Sequence, residues 1–134
     1  MAKELFLEVV TPQKAVVSEE AQLVVAPGSE GEFGVLKGHT TFLTSLKTGM
    51  LRYQGTDGKD RYLFVNGGFA EVLPDKVTIL AESAELKNDI DADRAEQAKK
   101  RAEGRLANRA DGVDVARAEA ALKRAIYRLN IKNM

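Results

Sequence analysis

The composition of this chain breaks near Asn88, and that break limits its folding more than any average over its 134 residues. Of 11 glycines, 9 lie in Met1–Asn88 and 2 in Asp89–Met134. All 3 prolines and 7 of the 8 aromatic residues are in the first segment, whereas alanine supplies 11 of the 46 residues in the second. Turn-forming residues and aromatics favour short strands; an alanine-rich stretch favours helix. The expectation is a β domain followed by a helical one. Charge divides at the same place: 12 acidic and 9 basic residues before the break, 8 and 11 after it, cancelling to a net of zero.

The first segment reads as strands punctuated by turns. Leu5–Val10 is mostly apolar and stops before Pro12, and Ala15–Val17 and Gln22–Ala26 are two further strand candidates. Pro27-Gly28-Ser29 is a turn, and Glu30–Val35 is glycine-rich and polar, which suggests tight connections. Thr40–Leu46 is apolar-leaning; Met50–Tyr53, Arg61–Val65, Phe69–Leu73 and Val77–Ala81 complete the strand candidates, with Asp57-Gly58 as a hairpin signal. Many short strands with frequent turns predict a sandwich or barrel, because each sheet must bury one apolar face.

The second segment has helical periodicity. Ala95, Ala98, Ala102 and Leu106 recur at three- and four-residue intervals, and Val115, Leu122, Ile126 and Leu129 repeat the pattern. Asp111-Gly112-Val113-Asp114 between them is a turn that offers Asp114 as an N-cap, and Asp89 and Asp91 favour the start of the first helix. The result is an antiparallel hairpin. Its alanine-rich seam lets the helices approach closely but buries little apolar area. At roughly 25 cal/mol per Å² such a seam is weakly held, so the hairpin is a candidate moving part.

Most function classes lack the residues they need. There is no cysteine, which removes disulfides, thiolate catalysis and cysteine-ligated metals. The single histidine, His39, has no partner for a triad, and Glu30/Glu32 and Asp91/Asp93 stand at i,i+2, on different sides of a helix. The glycine-rich Gly28–Gly38 lacks the order of a phosphate loop. Met1–Leu5 carries a lysine and a glutamate with no long apolar run, unlike a secretory leader, and no stretch approaches the roughly 18 apolar residues of a membrane span. A net-negative β segment gives no nucleic-acid surface. What stands out is arginine: Arg94, Arg101 and Arg105 share one face of the first helix, and Arg117, Arg124 and Arg128 one face of the second. These stripes are either ordinary solvated faces or a grip for an anionic partner, since guanidinium binds carboxylate and phosphate bidentately.

Motifs taken in order resemble the epsilon subunits of bacterial F-type ATP synthases over nearly the whole chain. They are Leu7-Glu8-Val9-Val10-Thr11-Pro12; Gly28–Val35 followed by Gly38-His39; Thr48-Gly49-Met50-Leu51; Val65–Val72; Val77–Glu82; and Ile90-Asp91-Ala92-Asp93-Arg94-Ala95. Two positions depart from the family habit, Lys37 and Thr41 standing where proline is frequent, which implies a less rigid loop around His39.

The resemblance implies an α+β chain: a ten-stranded β-sandwich over residues 1–86 and a helical hairpin over 87–134. It implies a non-catalytic place in the central rotor, peripheral to the cytoplasmic face of the bacterial inner membrane and without insertion into it. The sandwich would bind the gamma subunit and rest on the polar loops of the c-ring through Ser29, Glu30, Glu32 and His39. The hairpin would open to restrain ATP hydrolysis, and Arg117, Lys123, Arg124 and Arg128 would meet the alpha/beta subunits. The resemblance requires no cofactor, but it implies regulatory ATP held by Glu85, Ile90, Asp91, Arg94, Ala95, Arg101, Arg124 and Arg128, with Asp93 adding a negative charge nearby. The competing reading is a β-sandwich adaptor whose helices serve a partner outside any rotary motor.

Overall fold

A computed structural model of the protein describes residues 5–108 and 112–134. The chain divides into two compact units, Met1–Lys87 and Asn88–Met134. The first carries nine strands: β1 (Leu5–Val10), β2 (Ala15–Gly28), β3 (Gly31–Val35), β4 (Phe42–Ser45), β5 (Gly49–Gly55), β6 (Asp60–Asn66), β7 (Phe69–Leu73), β8 (Lys76–Leu80) and β9 (Ser83–Leu86). A further isolated bridge joins Gly28 to Leu46. Among the described residues this is nine strands and a bridge, against the ten strands implied by resemblance.

The strands run in the order β4-β7-β8-β1-β2-β5-β6-β9, with β3 on β2. Neighbours are antiparallel except β1 and β8, which are parallel. Period-two alternation turns alternate side chains inward: Leu5, Leu7 and Val9 of β1, Val77 and Ile79 of β8, Ala70 and Val72 of β7, Leu51 and Tyr53 of β5, and Leu63 and Val65 of β6 form one buried core. In β6, Phe64 is buried as well, so both faces of that strand are covered.

Three strand expectations are corrected. Ala15–Val17 and Gln22–Ala26 are parts of one 14-residue strand. The polar Ser18-Glu19-Glu20 between them stays in the ladder because its backbone pairs with β1 while its side chains face water. The strand pairs with β1 over Ala15–Ala21, with β5 over Ala21–Val25 and with β3 over Val24–Gly28, and its register against β5 is irregular between Ala21 and Leu23. The glycine-rich segment expected as connections is the strand β3, whose pairing with β2 runs from Val24–Val35 to Gly28–Gly31. Gly28 is required there, since a Cβ would stand 2.7 Å from the Gly31 carbonyl oxygen. Val77–Ala81 is not the last strand, because Ser83–Leu86 adds β9 to β6.

The second unit is a pair of helices, α1 (Ala92–Ala107) and α2 (Val115–Lys132), packed along their lengths. Of the turn expected between them, Asp111 lies outside the described residues. Asp114 caps α2 as expected, and Asp91 caps α1; each accepts a hydrogen bond from the backbone amide three residues on, at 3.0 Å. The seam differs from the periodic pattern. α1 buries Ala95 and Ala102, but α2 buries Ala118, Ala125 and Ile131, leaving Leu122 half-buried and Ile126 38% exposed. Apart from Ile131, the buried positions of the two helices are small residues, while Leu122 and Ile126 of α2 are more exposed.

Candidate functional site

In each helix an arginine immediately precedes a buried alanine: Arg94 and Ala95, Arg101 and Ala102, Arg117 and Ala118, Arg124 and Ala125. One residue is about 100° of turn around an α-helix. Two antiparallel helices that meet along their alanines therefore carry these arginines on the same side of the pair. Arg105 and Arg128 follow by four residues and extend the two rows. Arg105 and Arg117 line one cleft of about 350 Å³ with Gly112, Val113, Asp114 and Ala118, as the shared side requires. Arg94, Arg101, Arg105 and Arg117 are exposed, while Arg124 and Arg128 are half-buried. The hairpin thus has one basic face, built by a single register rule.

The residues implied for ATP are distributed unevenly in this arrangement. Arg94, Arg101, Arg124 and Arg128 fall on the basic face. Asp91 stands at its α1 end, with one carboxylate oxygen engaged by the Arg94 amide. Ile90 and Ala95 are each 3% exposed, so they belong to the packed interior of the chain rather than to an open surface. Glu85 is in β9, in the other unit, and half-buried. Guanidinium groups gathered on one face are of the kind that grip phosphate, whereas Ala95 is buried.

The residues implied for a c-ring contact also group locally. Ser29 and Glu30 form the two-residue connection between β2 and β3, and Glu32 follows in β3; all three are exposed. The Ser29 amide donates to the Ser45 carbonyl at 2.9 Å, and the two serine hydroxyls are in contact, which ties this connection to β4. His39 is half-buried, donates from Nδ1 to the Thr40 carbonyl at 2.9 Å and lies 5.3 Å from the Phe42 ring. Lys37 and Thr41 do not leave this loop untethered: the Gly38 amide donates to the Pro74 carbonyl at 2.6 Å and the His39 amide to that of Leu36 at 3.2 Å.

Sequence reasoning missed an apolar cleft on the sandwich. Val10, Thr11, Pro12, Gly68, Phe69, Leu80, Ala81 and Glu82 line about 550 Å³, with Phe69 56% and Leu80 54% exposed. The signal was available in strand parity: Phe69 and Leu80 are paired across β7 and β8, on the face opposite to Ala70 and Ile79. A second, smaller cleft on α2 is lined by Glu119, Leu122, Lys123, Ile126 and Tyr127. Among the described residues no cluster of His, Asp and Glu could hold a metal ion, and no helix is long and apolar enough to cross a membrane.

Comparison with known proteins covers both units. The profile of the ATP synthase delta/epsilon chain β-sandwich domain matches residues 4–87, and that of its long α-helix domain matches residues 88–133. The chain belongs to the ATP synthase epsilon family. It is 67% identical to the ATP synthase epsilon chain of Desulforapulum autotrophicum, over 98% of this chain and 97% of that one. Identity is 56% with the epsilon chain of Nitratidesulfovibrio vulgaris, over 98% of each. Among solved structures, a chain of the Euglena gracilis mitochondrial ATP synthase OSCP/F1/c-ring assembly superposes with a TM-score of 0.79 at 25% identity, covering 92% of this chain and 78% of that one. A chain of the Tetrahymena thermophila mitochondrial ATP synthase central stalk and c-ring shares the fold, with a TM-score of 0.59 at 15% identity over 98% and 95% of the two chains. The sandwich followed by a helical hairpin is therefore the family architecture.

Proposed function

We propose that this epsilon-family chain works in the central stalk of a bacterial F-type ATP synthase. There it couples rotation of the c-ring to the catalytic head without carrying out chemistry. In this reading it is peripheral, on the cytoplasmic face of the inner membrane. Its likeness over full length to bacterial epsilon chains, and to a chain from an F1/c-ring assembly, supports that place. The β2–β3 connection with Glu30 and Glu32 offers exposed carboxylates to the polar loops of the ring. The cleft at Phe69 and Leu80 offers gamma an apolar surface of the kind that marks protein interfaces.

The hairpin restrains ATP hydrolysis in this reading. The observation that carries it is that α2 has more binding surface than its seam uses. Alanines make the contact with α1, while Leu122 and Ile126 stand beside the seam and Arg117, Arg124 and Arg128 occupy the basic face. A helix held through small side chains separates at low cost. Its arginines, with Lys123, then gain an acidic surface of the alpha/beta subunits, and its apolar side gains gamma. ATP opposes this step when its phosphates bridge Arg94 and Arg101 of α1 to Arg124 and Arg128 of α2, because a ligand held by both helices favours the closed pair. Deleting residues 112–134 tests the reading: hydrolysis by the assembled enzyme rises, whereas an unchanged rate counts against it. Co-purification of the full chain with gamma tests the stalk position independently.

A further inference from the structure

We propose that the Asp57–Gly58 peptide is a latent site of isoaspartate formation, and that the guanidinium of Arg61 keeps it closed in the folded chain. The chemistry needs only these two residues and water. The Gly58 nitrogen attacks Asp57 Cγ; an N–C bond forms, the carboxyl C–O bond breaks, and the departing oxygen leaves as water with the amide proton and the carboxyl proton. Water then reopens the cyclic imide. Attack at Cγ restores aspartate, and attack at the main-chain carbonyl leaves a backbone that runs through Cγ. Glycine is the least hindered residue to follow the aspartate. Here Gly58 has φ +78° and nothing within 4 Å of where a Cβ would stand. The turn residues 56–60 are exposed, so water has access to the bond.

Every atom that must move is held. Arg61 Nη2 donates to Asp57 Oδ2 at 2.8 Å and Nη1 to Oδ1 at 3.1 Å, a bidentate fork on the group to be attacked. The Lys59 amide donates to the same Oδ1 at 3.0 Å. The attacking amide of Gly58 is itself engaged, donating to the Gly55 carbonyl at 3.0 Å. Gly55 makes the fork possible, because a Cβ there would stand 2.2 Å from Arg61 Nη1. The hydrogen bonds from Arg61, then that from the Lys59 amide, hold the Asp57 carboxyl well below the usual carboxylate range. A carboxylate without a proton has no leaving water to release. An extra backbone atom at this turn would disturb the β5–β6 register, in which Gln54 faces Asp60 and Tyr53 faces Arg61.

The test ages the full chain at weakly acidic pH and physiological temperature and maps isoaspartate by enzymatic methyl labelling and peptide fragmentation. Asp111–Gly112, the chain's other Asp-Gly step, and Asn66–Gly67 are resolved separately in the same digest. In the folded protein Asp57 converts slowly. In Arg61→Gln, with the fold verified by circular dichroism, it converts at least about tenfold faster, since the neutral carboxyl fraction changes about tenfold per unit of pKa. In denaturant the two chains convert alike. Should Arg61→Gln fail to fold, Arg61→Lys keeps the charge and loses the fork, and it too exceeds the natural protein. Folded variants that age at the natural rate overturn the proposal, as does a folded natural chain that ages as fast as its unfolded form.

Discussion

Oδ1 of Asp114 accepts the backbone amide of Arg117 at 3.0 Å and closes the first turn of α2. That amide is one of the four a helix start leaves without an intrahelical partner. Asp114→Ala is therefore expected to destabilise the hairpin by about 1 kcal/mol, and Asp114→Asn by much less, because the amide oxygen caps nearly as well. Helix content and hydrogen exchange of α2 provide the measurement. Equal effects of the two variants would remove the cap as the cause.

The seam predicts a larger effect from added volume than from lost charge. Ala118 is 3% and Ala125 1% exposed, so a leucine at either position must force the helices apart. Overpacking of this kind costs about 1–3 kcal/mol. Ala125→Leu should raise amide exchange across both helices while leaving the exchange of β1 and β5 unchanged. In the assembled enzyme it should also lower hydrolysis by favouring the open hairpin.

The two units were legible in the sequence to different depths. Composition announced a β domain followed by a helical one because glycine, proline and alanine act locally, while the choice of sandwich over barrel came with the family resemblance. The cap at Asp114 was legible for the same reason, as were the arginine rows, whereas Asp91 was legible only as one of two acids at the start of α1 and not as its cap. The length of β2 was not, because Ser18-Glu19-Glu20 read as a break when considered as side chains, whereas its place in the sheet is fixed by backbone pairing to β1. β3 was obscured likewise by its exposed, glycine-rich character. On α2, periodicity pointed to Leu122 and Ile126, yet the contact selects Ala118 and Ala125, since close helix packing favours small residues over large ones. The common side of the two arginine rows required knowing which residues face the partner helix.

Gly68 is the backbone position least open to change. Its φ is +104°, and a Cβ would stand 1.9 Å from the Leu80 carbonyl oxygen, a backbone atom of the paired strand. Gly68→Ala is expected to cost about 3 kcal/mol or more through combined strain and displacement of β8. Gly104, with nothing within 4 Å of its Cβ position and a place inside α1, should respond oppositely. Gly104→Ala should stabilise by about 0.5–1 kcal/mol. Denaturant unfolding of the two variants side by side measures both signs.

Tyr53 is a core residue whose hydroxyl donates to Glu19 Oε1 at 2.5 Å. Burial, and then the hydrogen bond to Glu19, hold its hydroxyl proton well above the ordinary range of tyrosine. A group with a raised folded pKa contributes stability that is complete below its unfolded pKa and lost as pH rises toward the folded one. The sandwich should therefore weaken as pH passes about 10, the unfolded value of tyrosine. Tyr53→Phe should lose about 1 kcal/mol at neutral pH, the exposed Glu19 limiting the effect. Its deficit relative to the natural protein should shrink at alkaline pH. A constant deficit would show that packing, not the hydroxyl, is responsible.

On the basic face, substitution separates a phosphate clamp from simple attraction between opposite charges. Arg101 and Arg124 precede seam alanines on different helices and lie on one side of the pair. If ATP bridges the helices, Arg101→Ala and Arg124→Ala each weaken its binding, and the double variant weakens it by less than the two effects combined, because either loss already breaks the bridge. Lys100, one position further from the seam, should matter little under the same titration. Asp91→Asn keeps the cap and removes a charge, so it isolates that carboxylate's part in binding from its part in starting α1. Protection of α2 amides should follow ATP occupancy in the natural protein and fail to do so in either arginine variant. Equal losses at Arg101, Arg124 and Lys100 would indicate a diffuse field rather than a clamp, and the nucleotide would then have no means of holding the hairpin closed.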